Sequence, residues 1–446
     1  MQISLPEHVT EIIERLEDAG YEAYAVGGCV RDCCLGRTPK DWDITTSAKP
    51  MQIKSIFKKT FDTGIEHGTV TVVLGGLGYE VTTYRIDGIY KDSRHPESVS
   101  FTSNLTEDLK RRDFTINAMA YNKKAGLVDV FGGRGDLEKG IIRCVGNAQE
   151  RFSEDALRML RAVRFSAQLG FEIEKETAEA IRALSATLKN ISAERIQTEI
   201  VKLITSDHPE KMADVYKLGL SRVFLPEFDV MMEAEQINPH HIYTVGMHTI
   251  KVMENVPPER ELRLSALFHD VAKPKCTTLD ENGINHFKGH PKEGAKMTKT
   301  ILKRLKFDNH TIDRVCHFVL WHDANPELTP KSVRRLVSKI GRDYYPEMFA
   351  LKRADVKGQN PVFADEKLRR IDEYEKLYNE IISAGECIDI KSLKVNGSDL
   401  IKEGFEEGAV IGSCLKELLH LVIEDPELNE RETLLTIARE QFLERN

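Results

Sequence analysis

The sequence predicts an α+β fold: an N-terminal head with a small mixed β-sheet, followed by all-α neck, middle and tail domains. Three observations carry this. Short alternating apolar segments around glycine turns crowd the first ~140 residues, strand signals vanish beyond about residue 140, and the rest of the 446-residue chain reads as helical periods with short connections. A chain this long exceeds one ordinary core. The expected division is a head over 1–140, a helical neck over 141–236, a second helical domain over 237–371 and a tail over 372–446.

Composition narrows the class. Hydrophobic content of 41%, charged content of 30% and a net charge of −8 describe a soluble globular chain and argue against an indiscriminate polyanion binder. Basic islands remain at 110–112 (KRR), among the arginines of 151–164 and at 331–335 (KSVRR), so a defined polyanion would be touched at chosen places. The opening MQISLPEHVTEIIERL carries acids and is unlike a secretory signal or transit peptide, and no apolar run nears the ~20 residues of a membrane span. A cytoplasmic location without membrane contact is expected. Eight scattered cysteines without a CxxC pair read as reduced thiols, with Cys29, Cys33 and Cys34 as helix packing.

In chain order, residues 1–20 read as a helix with Ile12, Ile13 and Leu16 on one face and Gly20 as its stop. In YAVGGCVRDCCLGRTPKDWD (24–43), Tyr24 and Val26 alternate as a strand, Gly27-Gly28 turns, and a helix opens whose bare N–H groups would cradle phosphates beside Arg31. Asp41 and Asp43 are expected on one face of the next strand, a repulsive pair that a divalent cation such as Mg²⁺ would relieve. Residues 67–86 read as a hairpin around a glycine-rich turn, with Glu80 as a third carboxylate or a solvated strand residue. A long polar loop follows to about 110. RRDFTINAMAY from Arg111 packs under the site, with Arg112 and Asp113 at its mouth, and DVFGGRGDL (129–137) reads as a loop in which Arg134 and Asp136 shape a turn. In the neck, Leu157, Met159, Leu160 and Val163 span an arc of about 160 degrees, an ordinary core face. Asp155, Arg158 and Arg161 lie off that arc at i, i+3 spacings, whereas Arg164 falls inside it and reads as a partly buried structural arginine. Ser192 caps a helix over SAERIQTEIVKLI. Glycines 397, 404, 408 and 412 in the tail join short helices.

Taken together, GGCVRD (27–32), Asp41-x-Asp43, RRDFTINAMA (111–120), EDALRMLRAVRF (154–165) and ERIQTEI (194–200) resemble, in order and spacing, the class II nucleotidyltransferases. That family comprises the tRNA CCA-adding enzymes and the bacterial poly(A) polymerases, and the match spans about the first half of the chain. The resemblance implies that Asp41 and Asp43 hold Mg²⁺ for two-metal nucleotidyl transfer onto an RNA 3′-hydroxyl, and that Gly28, Arg31 and Arg112 hold phosphates. It makes Asp155 and Arg158 the base-reading pair, completed by Arg161 and Arg164. The chemistry agrees: a carboxylate accepts from the exocyclic amine of cytosine or adenine, a guanidinium donates to the neighbouring ring acceptors, and guanine or uracil would set a carbonyl against Asp155. The stretch DGIYKDSRHPESVSF resembles the flexible loop of CCA-adding and A-adding members, and the acidic C-terminus is unlike the basic tail of the poly(A) polymerases. CCA addition to the 3′ end and acceptor region of tRNA, from CTP and ATP, is the first expectation; poly(A) synthesis or A-addition is the second. Oligomeric state is left open.

The second half carries His248, His269-Asp270 and Asp355 at long spacings on helical segments, which resembles the HD phosphohydrolase superfamily. The resemblance implies a second divalent metal on these four residues and an accessory activity on cyclic or terminal phosphates. The ligand types do not select among Mg, Mn, Ni, Fe and Zn. His241, His286, His290, His317 and His322 are weaker candidates. An HD fold that only braces the tRNA is the alternative there. For the whole chain, an RNA chaperone is disfavoured by the intact carboxylate pair, and a nucleotide-signalling protein by the domain order.

Overall fold

In the computed structural model, which describes residues 2–88 and 99–443, the chain begins with an amphipathic helix, α1 (Glu7–Asp18). Pro6 precedes it, where a missing N–H is harmless, and Val9, Ile12, Ile13 and Leu16 repeat at helical spacing and are buried. Truncating Leu16 to alanine there would cost about 2–5 kcal/mol.

The helix covers a sheet built from β1 (Ala23–Val26), β2 (Ile44–Thr46), β3 (Thr60–Gly64), β4 (Thr69–Leu74), β5 (Leu77–Thr83), β8 (Ala120–Asn122) and β9 (Gly126–Val128), while β6 (Arg85–Asp87) and β7 (Val99–Phe101) form a separate antiparallel pair. The strand order is β3-β4-β5-β2-β1-β8-β9, antiparallel except between β2 and β5, so the sheet is mixed. β4 and β5 form the expected hairpin, turning at Gly75 and Gly76, both at positive φ as a two-residue turn requires. β2 lies at the centre and is buried throughout. Its hydroxyls are satisfied there, Thr45 donating to Asp108 at 3.0 Å and Thr46 to the Glu22 carbonyl at 2.6 Å.

The helices of this unit are α2 (Gly28–Cys34), α3 (Pro50–Ile56), α4 (Leu105–Lys110), α5 (Gly133–Lys139), α6 (Ala148–Glu154), α7 (Leu157–Leu169), α8 (Lys175–Leu184) and α9 (Ala193–Ile204), followed by shorter ones. Leu157, Met159, Leu160 and Val163 are buried as expected, and so is Arg164.

Four local expectations differ from the structure. The strand of DWDIT starts only at Ile44. The Asp43 carbonyl still accepts from Val26 N–H at 3.0 Å, but at Gly27 the neighbouring chain turns away and bonds Met119, so Asp41 has no strand partner. DVFGGRGDL is not a loop throughout: the Asp129 carboxylate accepts from the amides of Gly133 and Arg134 at 2.7 and 2.9 Å and opens α5. The run 154–165 is two helices broken at Asp155, which is extended (φ −141°, ψ 103°) and whose carboxylate accepts from Leu157 N–H at 3.0 Å, a local bond that competes with the helix. Ser192 occupies the N-cap of α9 without a side-chain cap bond. Most of the DGIYKDSRHPESVSF segment lies outside the described residues.

The chain divides into two compact units, residues 1–229 with 304–307, and residues 230–303 with 308–446. Apart from one two-residue strand pair, the described part of the second unit is helical. Helices Val245–Asn255, Arg260–Phe268, His290–Arg304, Asn309–Trp321 and Glu347–Lys357 precede a tail whose core gathers Val395, Leu400, Phe405, Cys414, Leu418, Val422, Leu434 and Leu435. No helix among the described residues is long and apolar enough to cross a membrane. All eight cysteines are free.

Candidate functional site

Where β1 ends, Gly27 sits at φ +81°, and a Cβ there would stand 3.0 Å from Arg112 Nη1. Glycine thus lets the chain reverse into α2 while a guanidinium presses on its backbone. The turn brings Gly28 and Arg31 to a cleft of about 550 Å³ that Asp41 and Asp43 also line, with Arg37 and Lys40. Parallel register of β2 with β5 begins at Ile44 and Val81, so Asp43 and Glu80 each stand one residue before the paired stretch, Glu80 exposed on β5.

Asp41 and Asp43 both reach solvent, and among the described residues no hydrogen bond or ion pair reaches either carboxylate. The surrounding protein raises the Asp43 pKa above the ordinary aspartate value, the Arg112 charge opposes this and Asp41 adds to it. Two neighbouring carboxylates with bare lone pairs and no donors are a donor set for a hard divalent cation, and they fit Mg²⁺. The adjacent Cys29 thiol is buried and pushed up to about 12 by that burial, so it packs rather than reacts.

Arg31 is held on three sides. It reaches Asp32 Oδ1 at 2.7 Å and donates to Asn117 Oδ1 at 2.8 Å, and its guanidinium lies over the Phe165 ring, 5.2 Å from the centroid. Asn117 donates onward to Asp113 Oδ1 at 3.2 Å, and Arg161 reaches Asp113 Oδ2 at 2.6 Å. A single polar chain therefore links the cleft to α7. Burial alone would raise the pKa of Asp113, but the Arg161 charge and hydrogen bonds outweigh it and hold the carboxyl at about 2. Arg164, also over Phe165, is buried with its Nε 2.7 Å from Glu199 Oε2, and its pKa is pulled down to about 10 chiefly by burial.

The side chains of Asp155 and Arg158 take different partners, although Arg158 N–H donates to the Asp155 carbonyl at 3.0 Å. Asp155 takes Arg195 of α9 at 2.7 Å, while Arg158 reaches Glu154 at 2.6 Å and donates to the carbonyls of Arg151 and Arg111 at 3.1 and 3.0 Å. Arg195, Glu199, Asn117 and Phe165 were not singled out as site residues in the sequence. All four stand inside the motif blocks, which is the signal that could have found them.

In the helical unit, His248 on Val245–Asn255, the His269-Asp270 dipeptide just past Arg260–Phe268, and Asp355 on Glu347–Lys357 converge. His248 Nε2 lies 3.2 Å from His269 Nε2, 3.0 Å from Asp355 Oδ1 and 3.4 Å from Asp270 Oδ2. Two of the weaker candidates join them: His290 and His322 place Nε2 3.4 and 3.7 Å from Asp270 Oδ1. His241 stacks edge-on against His248, whereas His286 pairs with Asp280 on the surface and His317 donates to the Ile340 carbonyl, away from this cluster.

Comparison with known proteins fits this geometry. A family model for the poly A polymerase head domain matches residues 23–143, one for a probable RNA- and SrmB-binding site of polymerase A matches 170–232, and one for a putative tRNA nucleotidyltransferase domain 2 matches 292–438. The chain is 38% identical over 415 residues to a CCA-adding enzyme of Lactobacillus helveticus, covering 92% of this chain and 91% of the relative. It is 36% identical over 434 residues to that of Lactiplantibacillus plantarum, covering 96% and 94%. The solved Bacillus stearothermophilus CCA-adding enzyme, in complex with CTP, aligns over 98% of both chains with a TM-score of 0.71 and 30% identity. With near full-length relatives of this kind and a paired-aspartate cleft on a mixed sheet, the chain belongs to the CCA-adding enzymes of the class II nucleotidyltransferase family.

Proposed function

We propose that this protein adds the 3′-terminal CCA to tRNA in the cytoplasm, from CTP and ATP and without a nucleic-acid template. The observation that carries the reading is the shared cleft of Gly28, Arg31, Asp41 and Asp43 in a chain of this family. Asp41 and Asp43 would hold Mg²⁺, with Glu80 on the neighbouring strand to assist; bound there, the metal supplies electrostatic stabilisation of the triphosphate and of the attacking hydroxyl. Arg31, fixed by Asp32, Asn117 and Phe165, orients phosphates without having to be ordered first, and Arg112 adds charge beside the Gly27 turn.

Asp155 and Arg158 read the base. The Asp155 carboxylate spends one Oδ1 lone pair on Leu157 N–H and faces Arg195 with both oxygens, so an Oδ2 lone pair is left to accept an exocyclic amine. Arg161 and Arg164 hold Asp113 and Phe165, and so position the nucleotide site from behind. The division of labour follows the chain: catalysis in 1–140, base choice in 141–236, and RNA contact in the tail from 372.

The test offers purified protein tRNA without its tail, tRNA ending in CC, and a generic RNA, each with CTP and ATP, and reads products at nucleotide resolution. One CCA added to tailless tRNA is the expected result. Long A-tracts on any RNA would make it a poly(A) polymerase, and A on the CC end alone an A-adding enzyme.

The helical unit supports a second, accessory reading. His248, His269, Asp270 and Asp355 would hold a divalent cation for phosphoester hydrolysis at RNA ends, because residues from three stretches far apart in sequence meet within hydrogen-bond range. Manganese-dependent hydrolysis of a phosphoester, lost in His248→Gln, is the expected outcome; equal rates in both proteins would leave the bracing role.

A further inference from the structure

The helix His290–Arg304 carries a row of charge outside both sites. Lys292, Lys296, Lys299 and Lys303 are all exposed and fall within an arc of about 60 degrees along about 16 Å of helix. Gly294, Thr298, Ile301 and Leu302 lie on the opposite side and are buried, so packing fixes which face the lysines present. The helix has one carboxylate, Glu293, and it is already taken by Lys275 at 2.5 Å and Lys296 at 3.3 Å. Among the described residues Lys292, Lys299 and Lys303 have no ion-pair partner. Like charges three and four apart on one helix face destabilise it, so in a chain of net charge −8 the row is a local cost. A bound polyanion would turn that cost into attraction. The row also has a direction. Its helix begins at His290, and His290 lines, with Lys288 and Pro291, the cavity of about 700 Å³ that Asp270, His322 and Asp355 share. Lys292 therefore stands beside the cavity, and the row leads away from it.

We propose that this lysine face carries the sugar–phosphate backbone of a single RNA strand whose 3′ end lies in that cavity. The inference rests on the accessory reading for the chemistry at the cavity, but not for the binding itself. A nucleic-acid strand sets one charge per ~3.4 Å of helix axis, so the row spans about four or five phosphates. Lysine, a point charge on a flexible stem, suits backbone contacts that do not depend on sequence. A lipid surface fits less well, because no large apolar side chain of this helix is exposed to enter it.

The full chain is compared with a variant carrying Lys292→Ala, Lys296→Ala, Lys299→Ala and Lys303→Ala together, which keeps helix propensity, and with one carrying arginine at the same four positions. The anisotropy of a labelled single-stranded RNA of about ten nucleotides, ending in a 3′-phosphate, is followed across a salt titration. The slope of log affinity against log salt should lose roughly 2–3 units in the alanine variant and none in the arginine variant. With the same RNA as phosphoester substrate, KM should rise roughly tenfold in the alanine variant, while p-nitrophenyl phosphate, too small to reach the row, is hydrolysed at the parent's rate. A photoreactive 4-thiouridine at the 3′ end should crosslink to the cavity wall. An unchanged salt slope, equal loss of hydrolysis on both substrates, or crosslinks only elsewhere would each overturn the proposal. If the parent hydrolyses neither substrate, the accessory reading falls, and the slope and the crosslink alone decide the strand's path. Binding to anionic phospholipid vesicles that the alanine variant loses, with RNA binding unchanged, would give the face to a membrane instead.

Discussion

Asp155 Oδ2 lies 2.7 Å from Arg195 Nη2, so the carboxylate proposed to read the base is held from α9, across forty residues of chain. Arg195 thereby fixes where the acceptor points. A charge-assisted bond of this kind is worth about 1.5–3 kcal/mol. Arg195→Ala should lower the preference for CTP and ATP over UTP and GTP by roughly tenfold, with tRNA affinity little changed. Single-nucleotide incorporation rates with each triphosphate check this, and an unaltered preference would remove Arg195 from base choice.

Arg158 has two duties. It is proposed to read the base, and it also ties the break between α6 and α7 through Glu154 and the carbonyls of Arg151 and Arg111. Arg158→Ala should therefore relax nucleotide choice and also cost about 1–3 kcal/mol of stability. Arg158→Lys keeps the charge but cannot reproduce the planar fork, so it should recover stability better than selectivity. Urea titration alongside incorporation assays separates the two; recovery of both by lysine would reduce Arg158 to a point charge.

For the carboxylate pair, Asp41→Ala and Asp43→Ala should each abolish incorporation while leaving tRNA binding largely intact. The same cleft makes a structural forecast. Because no donor among the described residues satisfies these oxygens, and Asp41 adds to the rise that burial gives the Asp43 pKa, either single substitution relieves repulsion and should leave the melting temperature unchanged or higher. Near-normal turnover in either variant would dismiss the pair as the metal site, and a large drop in melting temperature would give it a structural role instead.

The hairpin of β4 and β5, the buried face of α1 and the change to helix beyond 140 were legible because they rest on local periods and glycine turns. Pairings across long sequence distance were not. ERIQTEI could be read as a motif, yet that Arg195 and Glu199, one turn apart on α9, hold Asp155 and Arg164 depends on how α9 packs on α7. The same holds for Asp270: HD is visible as a dipeptide, but its second oxygen meets His290 and His322 only once three helices are assembled. Asp41 and Asp43 were singled out by spacing and do line one cleft, although the strand expected to carry them starts only at Ile44, because spacing reports the type of side chain and not the hydrogen-bond partner.

Asp113 makes the pH dependence of the first unit testable. Its Oδ1 accepts from Phe114 N–H and Asn117, its Oδ2 from Arg161, and the carboxyl is held at about 2 against an ordinary value near 3.8. A carboxyl whose folded pKa is depressed stabilises the fold fully above its unfolded pKa, and that contribution is lost as pH falls through the folded value. The contribution is about 2 kcal/mol, present at pH 6 and fading from roughly pH 4 towards 2. Asp113→Asn keeps the size of the side chain and its bond to the Phe114 amide but removes the charge facing Arg161. Denaturant midpoints of the two proteins should then differ by an amount that is constant between pH 8 and 5 and shrinks steadily below pH 4. A gap of the same size at pH 6 and pH 3 would mean that Arg161 does not hold Asp113 ionised, and that the polar chain from Arg31 to α7 is not anchored there.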